Sequence, residues 1–200
     1  MIELSDSYYI GKGTNRGCYI HPEDDQKCIK ITVSNDYSES KKEIKYYKFL
    51  QKQNISWDNI AKYYGLVKTN LGDGAIFDLV KDFDGEISKT LSYYLQKDQL
   101  TKQILNPIIL LKRLKKYTLE EGIVVKDLNT KNMLYQKIDK DNAKLVLIDG
   151  VINNNFLFYS NYSNYLANKK IKKLWSDFES TLSKKYAFNK YFINLLNGLN

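Results

Sequence analysis

The chain is poor in the residues that carry soft-metal and thiol chemistry: its 200 residues include one histidine, His21, and two cysteines, Cys18 and Cys28. No zinc-type cluster can be assembled from them, and neither can a Ser–His–Asp or Cys–His arrangement. His21 stands before Pro22 in an expected turn, where it reads as structural or exposed rather than as a ligand. Without an export signal the two cysteines are expected as free thiols, although their places on two expected neighbouring strands would bring them close. Also missing is any apolar run long enough to span a bilayer, and the start Met1-Ile2-Glu3-Leu4-Ser5-Asp6 lacks the pattern of a signal peptide. The expectation is a cytoplasmic protein with no transmembrane segment. Internal repeats are absent, and only Asn153-Asn154-Asn155 hints at low complexity, in what would be a mobile polar loop.

The composition is globular, 43% hydrophobic and 27% charged, in a length that suits one compact unit or two closely packed lobes. The net charge is +8 and comes mostly from lysine. Beyond Gly150 there are seven lysines against one Asp and one Glu, densest at Lys169-Lys170-Ile171-Lys172-Lys173 and Lys184-Lys185-Tyr186. Such a stretch could bind nucleic acid, an anionic membrane surface or a phosphorylated glycan. Leu174, Phe178 and Leu182 nonetheless give the same helix an ordinary buried stripe. A solubilising lysine face is therefore favoured over a nucleic-acid site.

The strongest chemical signal is Val125-Lys126-Asp127-Leu128-Asn129-Thr130-Lys131-Asn132 followed by Leu145-Val146-Leu147-Ile148-Asp149-Gly150. Strands over Met133–Ile138 and Lys144–Ile148, joined by the turn Asp139-Lys140-Asp141-Asn142, would return Asp149 toward Asn132. Two carboxylates and an amide then converge at one end of a small sheet. Phosphoryl transfer uses this set: one carboxylate accepts the proton of an attacking hydroxyl, while an amide and a second carboxylate hold Mg²⁺ on nucleotide phosphates. The alternative is a solvated loop with ordinary surface Asp and Asn, since D-x-x-x-x-N alone is common. The Ile-Asp-Gly strand end at the right distance favours kinase-type chemistry.

Further pieces of that chemistry stand upstream. Tyr9 to Tyr19 reads as strand, glycine-rich turn, strand, with Gly11, Lys12, Gly13, Arg16 and Gly17 placed to approach phosphates, although a plain hairpin turn fits equally. Lys27-Cys28-Ile29-Lys30-Ile31 is a short apolar strand carrying Lys30, either a nucleotide clamp or an edge lysine that reaches water. A helix over Ser38–Gln53 has an apolar stripe at Ile44, Tyr47 and Leu50 and places Glu43 where it would face Lys30. Strands over Tyr63–Thr69 and Ala75–Val80 follow, then a hinge, Asp78-Leu79-Val80-Lys81-Asp82, whose backbone would meet an adenine edge. Helices are expected over Ser88–Lys97, capped by Ser88, and over Pro107–Glu120, with Pro107 at its first turn and Gly122 beyond its end.

In this order the pieces resemble a protein-kinase-like fold and, more narrowly, the YrbL family of kinase-like proteins first associated with the PhoP regulatory network. The stretches that carry the resemblance include Ile10-Gly11-Lys12-Gly13 with Arg16, Cys28-Ile29-Lys30, Glu43-Ile44-Lys45-Tyr46-Tyr47, Asp84-Gly85-Glu86-Ile87, Val125-Lys126-Asp127-Leu128-Asn129 with Asn132, and Leu147-Ile148-Asp149-Gly150, spread over nearly the whole chain. It implies an α+β, two-lobed fold, with a small antiparallel-sheet N-lobe over residues 1–82 and a minimal, mostly helical C-lobe over residues 83–200. It also implies ATP and Mg²⁺ as cofactors. Lys30 would touch the phosphates and Glu43 would hold Lys30. Asp127 would be the catalytic base, Asn132 and Asp149 metal ligands. Gly11 to Gly17 and the backbone at Asp78 and Val80 would complete the nucleotide site.

The chain also departs from the kinase pattern. Val125 and Lys126 replace the usual His and Arg, Gly150 replaces the usual Phe, and no A-P-E stretch follows. The short stretch after Asp149 would not build the full helical platform on which protein kinases hold a peptide. An active kinase acting on a protein, small molecule or glycan is the favoured expectation. A nucleotide-binding regulatory pseudokinase comes next, and a basic nucleic-acid-binding protein last.

Overall fold

The computed structural model describes residues 1–13, 15–34, 36–153 and 164–198. Its fold is α+β, with two antiparallel sheets and, among the described residues, six helices. Tyr9–Lys12 (β1), Arg16–His21 (β2), Asp24–Thr32 (β3), Tyr63–Thr69 (β4) and Gly72–Asp78 (β5) form the first sheet, in the order β1-β2-β3-β5-β4. Ser38–Gln51 (α1) lies between β3 and β4 in sequence and buries Tyr46, Tyr47 and Leu50. The Tyr47 ring meets the Phe77 ring of β5 edge-on at 5.2 Å, a favoured aromatic geometry.

The second sheet consists of Lys89–Thr90 (β6), Met133–Lys137 (β7) and Ala143–Leu147 (β8), in that order. Leu91–Tyr94 (α2), Asp98–Thr101 (α3) and Pro107–Glu120 (α4) stand between β6 and β7, and Asn164–Lys185 (α5) and Lys190–Asn197 (α6) follow β8. The division expected between residues 82 and 83 falls between β5 and β6. One hydrophobic cluster crosses it, running from Tyr47 and Phe77 to Leu114, Leu147 and Trp175.

Two expectations need local correction. The helix expected from Ser88 starts at Leu91, and Thr90 caps it by accepting from Tyr93 N at 3.1 Å. Ser88 Oγ instead donates to the buried Asp82 carboxylate at 2.5 Å, and Lys89–Thr90 is taken into the sheet by pairing with β7. On α5 the buried stripe is Ala167, Ile171, Trp175, Phe178 and Leu182, continued by Tyr186 just past its end, while Leu174 is only partly buried. Trp175 Nε1 donates to Thr118 Oγ1 at 2.9 Å and locks α5 onto α4. Lys169, Lys172, Lys173 and Lys184 are exposed away from that stripe, as a solvated face requires. No helix among the described residues is long and apolar enough to cross a membrane.

Asn189 ties the end of the fold together. Fully buried, it caps α6 by accepting from Phe192 N at 2.9 Å and donates to Leu95 O at 2.9 Å and Thr101 Oγ1 at 2.7 Å. Asn189→Ala removes a cap and strands two buried acceptors, so a stability loss of about 3 kcal/mol is expected, read as a lower urea midpoint at unchanged slope.

Candidate functional site

The β7–β8 hairpin folds the two polar motifs onto each other. Asn132 ends the turn Thr130–Asn132 that leads into β7, and its carbonyl accepts from Ile148 N at 3.0 Å. On the other side of the loop, Lys126 N donates to Gly150 O at 2.7 Å. These backbone bonds hold Asp127, Asn132 and Asp149 in one cluster, as the spacing predicts. Asn132 Nδ2 donates to both the carbonyl and the Oδ2 of Asp127, each at 3.2 Å. Gly150 has φ +75°, and a Cβ there would lie 2.9 Å from the Asp127 carbonyl. The missing side chain is thus a condition of the loop's close approach, which the sequence comparison alone does not supply.

From the first sheet, Lys30 and Arg16 reach the same place. Lys30 is 9% exposed; its Nζ donates to the Ile148 carbonyl and lies 4.5 Å from the centre of the Phe77 ring. Glu43 on α1 is 1% exposed, and its partner is not the expected Lys30. Arg16 takes it, donating from Nη1 to Oε2 and from Nη2 to Oε1 at 3.3 Å, and reaches Asp149 Oδ1 from the same Nη2 at 2.5 Å. The physical reason is the fork: one planar guanidinium binds both carboxylates at once, while the Lys30 ammonium is engaged at the Ile148 carbonyl. Burial pushes the Glu43 carboxyl up, with Arg16 and Lys30 opposing it. Burial acts the same way on Asp149, but Lys30, Arg16 and the Gly150 N–H overcome it and hold that carboxylate below its usual range.

The remaining expected positions divide. The glycine-rich turn closes by Gly13 N donating to Arg16 O at 2.9 Å, and a Cβ on Gly11 would meet nothing within 4 Å. Lys12 is exposed beside it; Gly17 is buried against the Tyr19 ring. At the expected hinge, Asp78 N donates to Lys62 O at 3.0 Å and Val80 O accepts from Ser88 N at 3.1 Å. The Asp78 carboxylate is held by Lys62 N and Tyr64 Oη, each at 2.7 Å. The fold itself uses much of this segment's backbone. A cavity of about 470 Å³ opens there, lined by Trp57, Asp78, Val80, Lys81 and Gln136 among others and by none of Asp127, Asn132 and Asp149. It is a separate feature from the polar cluster. Lys185, assigned by the sequence to a solvated face, donates to Asn129 Oδ1 at 3.0 Å and brings a cation to the loop. Nothing in the local sequence links positions so far apart.

Cys18 and Cys28 are free thiols on neighbouring strands, Cys18 standing opposite Lys30 in the register. The neighbouring Cys28 side chain lowers the Cys18 thiol to about 7, with Lys30 and Arg16 acting in the same direction against burial. Iodoacetamide is expected to alkylate Cys18 in the folded protein with a rate that rises through about pH 7, and to leave buried Cys28 unmodified. Peptide mass mapping across pH reads both.

Among the described residues no group of three or more His, Cys, Asp and Glu converges as a metal site. The donors at the cluster instead fit a hard cation that keeps water and phosphate ligands, which one or two protein oxygens suffice to hold. Among the described residues no hydrogen bond reaches Asn132 Oδ1 or Asp149 Oδ2, and the Asp149 side chain is 42% exposed. The mobile loop expected at Asn153-Asn154-Asn155 lies, from Asn154 onward, outside the described residues.

The profile of the family described as PhoP regulatory network protein YrbL matches residues 2–183. Curated proteins named "Uncharacterized protein YrbL" from Escherichia coli (strain K12) and Shigella flexneri are each 33% identical over 181 residues, covering 89% of this chain and 86% of theirs. All the residues of the polar cluster lie inside the matched region.

Proposed function

Because the chain belongs to the YrbL family of PhoP regulatory network proteins, and because its matched region folds two carboxylates and an amide into one cluster under two cations, we propose that it is an ATP- and Mg²⁺-dependent kinase. The acceptor is a hydroxyl of a protein, small molecule or glycan. In this reading the two sheets belong to the two lobes of a minimal protein-kinase-like fold. The order of the elements supports it: three strands, a helix carrying Glu43, two strands, the short β6, then helices and the β7–β8 hairpin. The observation that carries the reading is the meeting of Asp127, Asn132 and Asp149 from separate segments beside Lys30.

Each residue then has a task. Asp127, exposed and oriented by Asn132 Nδ2, accepts the proton of the acceptor hydroxyl as its oxygen bonds to the γ-phosphorus and the bond to the ADP oxygen breaks. Asn132 and Asp149 would hold Mg²⁺ through their free oxygens, and the ion would supply charge neutralisation at the phosphates. Lys30, held beside Ile148, would contact the same phosphates. The glycine-rich turn covers them with little side-chain obstruction.

The test is transfer of label from γ-labelled ATP with Mg²⁺, wild type beside Asp127→Asn, offered protein, nucleic-acid and glycan fractions of a lysate. Label from the wild type alone supports the kinase and names its substrate class. Nucleotide binding with no label in any fraction would instead make the protein a regulatory nucleotide-binding module. Salt-sensitive RNA or DNA binding without nucleotide binding would transfer the function to the lysine face of α5.

A further inference from the structure

Arg16 stands out by residue type. The chain draws its positive charge from lysine and has only two arginines, Arg16 and Arg113. Arg16 stands between Glu43 and Asp149, where a planar fork reaches both carboxylates, with its side chain 13% exposed. Lys30 completes the buried part of the group, where two cations face the two carboxylates Glu43 and Asp149 in balance, while the Asp127 carboxylate lies outside it at the exposed edge.

That balance has a consequence for ligands. A divalent cation arriving at Asp149 alone would add two positive charges beside Arg16 and Lys30, which is unfavourable in a partly buried site. It would also have to compete with the guanidinium for the carboxylate. A nucleotide triphosphate brings compensating negative charge and gives the guanidinium a new partner, to which its geometry is well matched. Arg16 opens β2 directly after the glycine-rich turn, next to the position where phosphates would approach.

We infer that Arg16 is the resting occupant of the metal site: it holds Asp149 in the ligand-free protein and passes to the nucleotide phosphates when a divalent cation takes Asp149, so that cation and nucleotide bind as a unit. Nη1 stays on Glu43 throughout. Nη2, which spans Glu43 and Asp149, is the group that changes partner. The inference rests on the kinase reading and adds to it a device that keeps free cation out of the site.

The experiment follows free Mn²⁺ by electron paramagnetic resonance in the full-length protein, with and without the nonhydrolysable analogue AMP-PNP. Wild type should bind Mn²⁺ weakly alone and much more tightly with the analogue. Arg16→Gln should bind Mn²⁺ alone about tenfold more tightly than wild type, with the analogue's enhancement reduced, within the usual range of coupling between sites. Since Arg16→Gln leaves Glu43 buried without its partner, Arg16→Gln/Glu43→Gln serves as the second variant and should show the same loss of coupling in a protein that melts cooperatively. Mn²⁺ binding to either folded variant no tighter than wild type, with Asp149→Asn abolishing the Mn²⁺–analogue complex, would overturn the role of Arg16 and leave the kinase reading intact. Failure of wild type to bind Mn²⁺ with the analogue would instead overturn both.

Discussion

Asp127→Asn is expected to lower phosphoryl transfer about a thousandfold, the middle of the range for loss of a general base, or about 4 kcal/mol of transition-state stabilisation. Nucleotide affinity and melting temperature should stay at wild-type values. The separation follows from the geometry. Asp127 is exposed and makes no ion pair among the described residues, so no buried charge there is left unmatched when its own is removed. An asparagine carbonyl can still accept from Asn132 Nδ2, so the loop keeps its shape. What disappears is proton affinity at the oxygen facing the acceptor. Asp149→Asn, in contrast, should weaken binding itself, since Asp149 is tied to Arg16 and lies beside Lys30. A single-turnover assay beside a nucleotide titration distinguishes the two. Comparable transfer by wild type and Asp127→Asn would remove Asp127 from the chemistry.

The sequence makes the elements more legible than their partnerships. The α4 bounds, Pro107 to Glu120, follow from Pro107 and Gly122, because helix ends are written in local backbone requirements. The β7–β8 hairpin is equally readable from its short apolar strands and Asp-rich turn. Glu43 is found from its place on α1, but its partner is misassigned. Arg16 and Lys30 both lie within reach of the same carboxylate, and only packing decides which side chain has the free direction. The failure at Ser88 is of the same kind. Its hydroxyl could cap a helix, but pairing of Lys89 and Thr90 with β7 is a long-range contact that overrides the local preference. Lys185 on Asn129 is a contact between distant segments, for which no spacing rule exists.

Gly150 joins fold and chemistry, and its substitution carries the second large effect. At φ +75° an alanine is strained by its backbone alone, and its Cβ would stand 2.9 Å from the Asp127 carbonyl and 3.4 Å from Asn132 Nδ2. The nearest obstacle is main chain, tied back through Lys126 N on Gly150 O at 2.7 Å, so it cannot rotate away. Strain and crowding together should cost about 3 kcal/mol of stability. The displaced loop should lower phosphoryl transfer about a hundredfold, the cost of misplacing reacting groups by a fraction of an ångström to one ångström. Gly122→Ala is the matched control: φ is +65°, but a Cβ would meet nothing within 4 Å. It should lose about 1 kcal/mol from backbone strain and keep its transfer rate. Equal effects of the two alanines on melting and on transfer would mean that left-handed backbone, not the contact with Asp127, accounts for glycine at 150. A loss of activity confined to Gly150→Ala would mean that a side chain is excluded there to let the metal-binding and proton-accepting segments touch. The residue that departs most visibly from the kinase pattern would then be the one that lets Asp127 and Asp149 share a site.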